Sequence, residues 1–219
     1  MQMKSAAEFY DEAYFTRRPH GRVRGEANLF KFAEFVSPGS NVIDFGCGGG
    51  FLLNALTAAD KIGIEINPTA VASARALGIE KIYSDISAVE SNWADVIVSN
   101  HAMEHVEEPT RIIREFFRVL KPGGKIVIVT PYDSVSKRFS EVDPDFHLFS
   151  WNPATIGNLA KACGFRVIQA REIVHRWPPK WNVIWDKLGV RAFHTLCKLY
   201  GWMRRSGTQV RLVAEKPIA

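Results

Sequence analysis

A short apolar run that ends in a glycine-dense turn constrains this chain more than any other feature. Residues 41–45 read NVIDF and residues 46–50 read GCGGG, directly before an apolar stretch that begins at Phe51. Val- and Ile-rich runs of this length, bounded by turn residues, are typical of buried strands. Glycines at a strand end let the backbone approach a ligand closely and leave free N–H groups at the start of the next helix. The sequence therefore predicts a strand, a ligand-binding turn and a helix.

The same alternation of strand and helix patterns continues along the chain. Further Val- and Ile-rich runs predict strands, and between them apolar residues recur at helical spacing. The predicted strands are 41–45, 61–65, 81–84, 95–100, 125–130, 165–173 and 208–215, and the predicted helices are 6–15, 25–35, 51–59, 69–77, 110–120 and 153–163. Alternating strands and helices predict a Rossmann-like, doubly wound α/β sheet.

The composition is typical of a globular protein of a reducing compartment. Hydrophobic residues make up 47% and charged residues 23% of the 219 residues, which allows a sizeable core and is unlike a disordered chain. The apolar runs are shorter than the roughly 18 residues of a membrane span, and residues 1–12 lack the apolar core of an export signal. Three cysteines without CxxC spacing predict neither a disulfide framework nor a structural zinc site. We therefore expect a cytoplasmic protein with reduced thiols, no integral membrane segment and no bound metal.

The spacing of the glycines separates two classes of nucleotide-like cofactor. The dinucleotide fingerprint GxGxxG fails, because its third glycine would fall on an apolar residue. The pattern DxGxGxG fits instead, and its positions are Asp44, Gly46, Gly48 and Gly50, with Cys47 between them. In this motif the chain resembles the class I S-adenosylmethionine-dependent methyltransferases. The resemblance implies S-adenosyl-L-methionine as the cofactor and S-adenosyl-L-homocysteine as its product.

Further motifs extend the resemblance over about residues 40–173 and the final strand. Residues 99–106 read SNHAMEHV and resemble the exit of the fourth strand, and residues 118–125 read RVLKPGGK and resemble the turn into the fifth. The segment DFHLFS at 145–150 is similar to one in the small-molecule branch, which includes quinone-biosynthesis and natural-product methyltransferases.

The resemblance also implies a seven-stranded sheet with the last strand antiparallel. The residue pattern itself predicts N-terminal helices, and it predicts a helical insertion before the last strand, because more than thirty residues separate the final two strands. We expect a single methyltransferase domain over 1–219. Its parts are an N-terminal helical lid (1–38), a cofactor-binding core (40–173), a helical insertion (175–206) and the final strand (208–216).

The predicted adenosine contacts follow the second and third strands. Glu65 ends the second strand, where a carboxylate can accept the ribose hydroxyls, and Ile66 lies beside it. The resemblance assigns Asp85, after the third strand, to the adenine amino group and Ile86 to the adenine ring. The alternative for Glu65 is a helix-capping or surface role, and the alternative for Asp85 is a helix-capping role.

The other predicted cofactor contacts come from the fourth strand and the first helix. By resemblance, Asn100 and His101 at the fourth-strand exit border the methionine part of the cofactor. Tyr14 lies with other aromatic residues on the predicted helix 6–15, which in related enzymes closes over the cofactor. An aromatic face also suits a sulfonium cation, and core packing is the alternative.

Histidine is the natural general base if the acceptor is a hydroxyl, phenol or amine. His101 and His147 are expected near the same sheet edge and are the candidate catalytic residues. His105, one helical turn after His101, is a third candidate. A structural, hydrogen-bonded histidine is the alternative for each, and an acceptor carbon that is already activated would need no base.

The C-terminal segment combines tryptophan with positive charge. Residues 171–219 hold ten Lys and Arg against three acids. Trp177, Trp181 and Trp185 recur every four residues, which predicts one stripe of a helix that runs to about Met203. Such a helix could cover the acceptor beside the cleft, contact lipid peripherally or pair with a second copy in a homodimer. The alternative is that the stripe covers its own domain.

The sequence therefore predicts an enzyme, an S-adenosylmethionine-dependent methyltransferase that acts on an O-, N- or C-nucleophile of a small molecule. An RNA or protein methyltransferase that uses the basic segment is one alternative, and a non-catalytic cofactor-binding protein is another. Nucleic acid is the less favoured partner, because the chain has neither the NPPY-type motif of amino-directed DNA methyltransferases nor the Pro-Cys pair of cytosine C5 enzymes.

Overall fold

The computed structural model describes residues 21–132, 139–141 and 145–218. The predicted helix 6–15, and with it Tyr14, lies outside these residues. The described helices are α1 (Gly21–Asn28), α2 (Phe51–Ala55), α3 (Pro68–Ala76), α4 (Pro109–Val119), α5 (Pro153–Ala162) and α6 (Trp181–Arg204). The described strands are β1 (Asn41–Phe45), β2 (Asp60–Ile64), β3 (Ile82–Tyr83), β4 (Ala94–Asn100), β5 (Leu120–Pro131), β6 (Arg166–Val174) and β7 (Thr208–Glu215).

The seven strands form one mixed sheet in the order β3-β2-β1-β4-β5-β7-β6. Strands β1 to β5 pair in parallel, and β7 runs antiparallel to both β5 and β6. This confirms the predicted Rossmann-like sheet with an antiparallel last strand. The strand order reverses between β1 and β4, and ligands of such sheets bind outside the carboxyl ends of the strands at that point.

Helices cover both faces of the sheet, so the central strands are buried on both sides. Side chains alternate between the two faces along each strand. In β4, Val96 and Val98 pack into the cluster that contains Phe32, and Ile97 packs into the cluster that contains Phe116. This explains why the central strands read as continuous apolar runs rather than as alternating ones.

Local capping explains where the predicted helices begin. The Asn67 side chain accepts the N–H of Ala70 at the start of α3, with Pro68 in the first turn, as is typical of helix N-termini. Two of the predicted helices that fall within the described residues differ from their predicted ranges by more than one residue. The helix predicted over 51–59 ends at Ala55, because the extended Leu56 leads the chain towards β2. The helix predicted over 25–35 becomes α1 followed by two 3₁₀ turns.

The helical insertion lies between β6 and β7, as predicted. The prediction that the tryptophans lie on one continuous helix is wrong. Gly189 has φ 77° and ψ 173° inside α6, and glycine adopts such a backbone without steric cost. After this break the chain returns, and the ring of Phe193 lies 5.3 Å from Trp177 and 5.1 Å from Trp185 between centroids. Trp177 and Trp185 therefore pack around Phe193 of the same segment, next to Ala27 of α1. No described helix, α6 included, combines the length and apolar character that a membrane span requires.

Candidate active site

A cleft of about 430 Å³ opens beyond the carboxyl ends of β1, β2 and β4. Its volume lies in the range of about 300–1,000 Å³ that is typical of small-molecule sites. Its walls come from the glycine turn after β1, the β2–α3 connection, the exit of β3 and the segment between β4 and α4. The described lining residues are Phe45, Gly46, Gly48, Ile64, Glu65, Ile66, Asn67, Ala70, Ser84, Asp85, Ile86, His101, Ala102, His105, Val106, Glu107, Glu108, Arg111 and Ile112.

The predicted glycine turn has the left-handed backbone that its spacing suggests. Gly46, Gly48 and Gly50 have φ of 71°, 53° and 77°, which residues with a side chain rarely adopt. A Cβ on Gly46 would lie 2.3 Å from the Cβ of Ala102, whereas a Cβ on Gly48 would meet nothing within 4 Å. Gly48 lines the cleft, so the space beside it can admit a ligand against the bare backbone. The turn thus fits a nucleotide-like cofactor.

Glu65 joins the end of β2 to this turn. Its Oε2 accepts the N–H of Gly48 at 2.8 Å, and its Oε1 accepts the N–H groups of Ile66 and Asn67 at 2.8 Å each. Hydrogen bonds to a charged acceptor are stronger than neutral ones. A carboxylate offers about four acceptor positions, so capacity remains for a ligand hydroxyl. The residue predicted to hold the ribose lies on the cleft wall and also fixes the glycine turn.

Three residues that were predicted to contact the cofactor are not among the described lining residues and instead support the glycine turn from beneath. These residues are Asp44, Cys47 and Gly50. Asp44 is 2% exposed, and burial, with the nearby charge of Glu65, raises the pKa of its carboxyl to about 7. Cys47 is buried, and burial raises the pKa of its thiol above the usual range. Gly50 packs so closely that a Cβ would lie 2.8 Å from the Cβ of Ala74.

At the opposite end of the cleft, Asp85 is held by a neighbouring N–H and faces an arginine. Its side chain accepts the N–H of Ser87 at 2.7 Å and lies 3.5 Å from Nη2 of Arg111. The Ser87 hydrogen bond, together with Arg111, lowers the pKa of Asp85. The side chain of Ile86 is fully buried, whereas Ile66 is 50% exposed. The apolar surface offered to an adenine ring therefore comes from Ile66 more than from Ile86.

Asn100 is engaged with a buried lysine that the sequence analysis missed. The Asn100 Oδ1 accepts a hydrogen bond from Lys31 Nζ at 3.0 Å. Lys31 is 2% exposed, and burial lowers its pKa to about 7, against the opposing charge of Glu104. The signal in the sequence is a charged residue inside the apolar run LFKF at 29–32. Asn100 itself is not among the described lining residues.

His101 lies on the cleft wall directly after β4. Its φ is 57°, and its N–H donates to the carbonyl of Val129 at 2.8 Å. Its Nε2 is 3.3 Å from Gln209 Oε1, and its Nδ1 is 3.7 Å from Glu104 Oε1. The side chain of His101 is 38% exposed to the open cleft, and desolvation by the cleft walls, together with the charge of Lys31, lowers its pKa below the usual range. The imidazole is therefore neutral near pH 7.

The other two candidate histidines lie together on the far side of Glu104. The rings of His105 and His147 contact edge to face, with centroids 5.0 Å apart. His105 lines the cleft, whereas His147 is not among its described lining residues. Glu104 lies between His101 on one side and His105 and His147 on the other. Its carboxylate is 1% exposed, and sequence reasoning missed it. The available signal was the spacing HxxEH at 101–105.

Comparison with known proteins agrees with this geometry. The family described as "Methyltransferase domain" matches residues 18–170. The chain is 35% identical over 103 residues to a ubiquinone biosynthesis O-methyltransferase of Xanthomonas oryzae pv. oryzae strain PXO99A, and the match covers 42% of this chain and 43% of that enzyme. The chain thus spans less than half the length of this curated relative.

Solved structures show the same fold. One is the protein of Haloferax volcanii solved in complex with the Trm112 methyltransferase activator, with a TM-score of 0.67, 18% identity, and coverage of 98% of this chain and 99% of that one. Another is a SAM-dependent methyltransferase from Archaeoglobus fulgidus, with a TM-score of 0.63, 18% identity, and coverage of 89% and 94%. With the family match over most of its length, the chain belongs to the class I S-adenosylmethionine-dependent methyltransferases.

Proposed function

We propose that this chain transfers a methyl group from S-adenosylmethionine to a small-molecule acceptor, and that the nucleophile is a hydroxyl oxygen. The observation that carries the proposal is the cradle formed by Gly48, whose bare backbone faces the cleft and is held by Glu65. The similarity to ubiquinone biosynthesis O-methyltransferases supports an oxygen nucleophile on a small molecule. A cytoplasmic location, a homodimer and peripheral lipid contact stay predictions.

Different residues of the chain would contact different parts of the cofactor. When bound, S-adenosylmethionine supplies a methyl group that its sulfonium activates. Gly46 and Gly48 would give the cofactor close access to the backbone, and Glu65 would accept the ribose hydroxyls. Ile66 would contact the adenine ring, and Asp85 would accept from the adenine amino group. The chain thereby fixes the direction from which an acceptor can approach, and such positioning can contribute roughly 7–11 kcal/mol in favourable cases.

His101 is the candidate residue for contact with the acceptor. It lies on the cleft wall and is neutral, so it can accept a hydrogen bond from an acceptor hydroxyl. Its Nε2 is held by Gln209 Oε1 at 3.3 Å, which fixes the orientation of the ring. Its role is therefore to orient the acceptor hydroxyl. His147 is not among the described lining residues of the cleft, but its ring contacts His105, which is.

Calorimetry and a turnover assay test the proposed function. S-adenosylhomocysteine should bind the purified chain in one-to-one stoichiometry, and simple phenols and catechols with S-adenosylmethionine should yield S-adenosylhomocysteine. RNA is tested in parallel at rising salt, because binding through many phosphates weakens steeply with salt. Absence of cofactor binding by the folded chain would refute the proposal. Turnover on RNA alone would replace the small-molecule acceptor with the alternative.

The contribution of His101 is tested separately. His101→Ala should keep its affinity for S-adenosylhomocysteine and lose most of its turnover, which is the signature of a contact made with the acceptor. His194→Ala is the matched control, since His194 lies in the helical insertion and pairs with His175. Equal turnover in the two variants would remove His101 from the mechanism.

A further inference from the structure

Three side chains beside the cleft form a ligand set for a metal ion. Glu104, His105 and His147 each offer one ligand atom, and these atoms lie within 4.8 Å of one another. Two imidazoles and one carboxylate are a set that Zn²⁺ and other divalent transition metals use in proteins. We propose that these residues bind a divalent transition-metal cation, which in turn binds an oxygen of the acceptor. The sequence pattern alone predicted no bound metal at this position.

The geometry between Glu104 and His105 suits two ligands of one ion. Oε1 of Glu104 lies 3.7 Å from Nε2 of His105, which is too long for a hydrogen bond. Bonds of about 2.0–2.2 Å to zinc place two ligand atoms roughly 3.3–3.6 Å apart in a tetrahedral site. A shift of a few tenths of an ångström would therefore let both atoms bind one cation.

The other nitrogen of His105 is held as metal-binding histidines usually are. Nδ1 lies 3.3 Å from the carbonyl oxygen of Phe146. A carbonyl can only accept, so the N–H lies on Nδ1 and the lone pair of Nε2 faces Glu104. Such a backbone carbonyl partner fixes the ring and the tautomer of a ligating imidazole.

The backbone holds the loop that carries His147 against Glu104. The N–H groups of Leu148 and Phe149 donate to the carbonyl of Glu104 at 2.9 and 3.1 Å. Phe146 has φ 49°, an uncommon conformation for a bulky residue. The sharp turn there directs His147 towards His105, with ring centroids 5.0 Å apart. The three ligands come from two segments that the chain fixes to each other.

The role of the cation towards the acceptor rests on the proposed function. His105 lines the cleft, so a cation bound to its Nε2 lies at the cleft wall. Three protein ligands leave at least one coordination position open, as in catalytic zinc sites. A hydroxyl bound there loses its proton at a lower pH. The O–H bond breaks, the proton leaves to solvent, and the oxygen keeps the electron pair as the nucleophile.

Cobalt binding tests the site without any methyl transfer. Chelator-treated protein is titrated with Co²⁺, whose visible absorption reports its ligands. We expect one equivalent to bind, and Glu104→Gln and His147→Ala to weaken binding at least tenfold. His194→Ala, which removes the histidine paired with His175, should leave it unchanged. No cobalt absorption at millimolar Co²⁺, or a loss confined to His194→Ala, would overturn the proposal and leave the cluster as a buried network of charges.

Two further readouts separate this inference from the proposed function. S-adenosylhomocysteine affinity is measured for the same variants, and unchanged affinity shows that they are folded. His147→Ala still tests the site if Glu104→Gln does not fold. Catechol, whose adjacent hydroxyls can occupy open positions on the cation, should shift the cobalt absorption of the wild type. If cobalt binding depends on the three ligands, the metal site is supported even if no cofactor binds. If catechol does not shift the cobalt absorption, the proposed role of the cation towards the acceptor is overturned.

Discussion

The carboxylate of Glu65 accepts the backbone N–H of Gly48 at 2.8 Å, so the end of β2 fixes the turn that follows β1. One side chain thereby links the two strand ends that the cofactor must bridge. The same carboxylate also accepts two N–H groups of its own connection to α3. The shape of the turn and the proposed ribose contact therefore depend on a single residue.

Replacing Glu65 with Ala should weaken S-adenosylhomocysteine binding strongly. Each hydrogen bond to a charged group is worth about 1.5–3 kcal/mol, which corresponds to roughly a tenfold to hundredfold change in affinity. Calorimetry measures the change, and Glu80→Ala, at an exposed acid near the start of β3, is the control. A loss of less than twofold in Glu65→Ala would disprove the ribose assignment.

Gly48 and Gly78 form a matched pair for the close approach of the cofactor. Both have a positive φ, and a Cβ on either would meet nothing within 4 Å. Only Gly48 lines the cleft. Gly48→Val and Gly78→Val should therefore cost similar backbone strain, while only Gly48→Val abolishes cofactor binding. Thermal unfolding compares the strain and calorimetry compares the binding. Equal affinity in the two folded variants would place the cofactor elsewhere.

Local patterns explain why the sheet and the turn could be predicted from the sequence. Buried strands carry their apolar runs within five to seven residues, as β1 and β4 show. The glycine register fixes a backbone that other residues rarely adopt, and Gly46 and Gly48 have it. Proline and asparagine at the start of α3 identify its boundary equally well. Each of these signals lies within the element that it predicts.

The features that the sequence did not reveal depend on contacts between distant residues. Lys31 and Asn100 are 69 positions apart, and their hydrogen bond places a lysine beneath the cleft. Glu104 gains its histidine neighbour His147 only because a loop more than forty residues later folds over it. The break at Gly189 is visible as a glycine in a helical pattern, but such a glycine does not by itself end a helix.

The stability of the chain should fall as pH rises from about 4 to about 7 on account of Asp44. Its pKa is raised from 3.8 to about 7 in the folded state, so in this interval the unfolded chain ionises first and is favoured. The loss is complete above the folded pKa and amounts to at most about 4 kcal/mol. Asp44→Asn should therefore stabilise the protein at pH 8 and leave it nearly unchanged at pH 4. Urea unfolding at both values measures this.

The control for Asp44→Asn is Asp186→Asn, at an exposed residue of α6. It should change the free energy of unfolding little and equally at both pH values. If Asp44→Asn also shifts stability by the same amount at pH 4 and pH 8, its carboxyl does not titrate in this interval and the burial argument is wrong.

The helical insertion should behave as part of the core rather than as a removable cover. Phe193 and Cys197 are fully buried and pack with Ala27 of α1 and with the tryptophans, and no insertion residue is among the described lining of the cleft. Phe193→Ala should therefore lower the free energy of unfolding by about 3–5 kcal/mol, as is usual for a buried Phe. Leu199→Ala, at a side chain that is 52% exposed, is the control and should cost much less.

The same packing predicts the result of a larger change. Replacing residues 177–203 with a short turn would expose Ala27 of α1 and Val174 at the end of β6, so the whole domain should lose cooperative unfolding. A shortened chain that stays folded, binds S-adenosylhomocysteine and fails only in acceptor methylation would show instead that the segment covers the acceptor. Calorimetric unfolding and cofactor titration of the same sample distinguish the two results, because the first outcome removes both signals and the second keeps both.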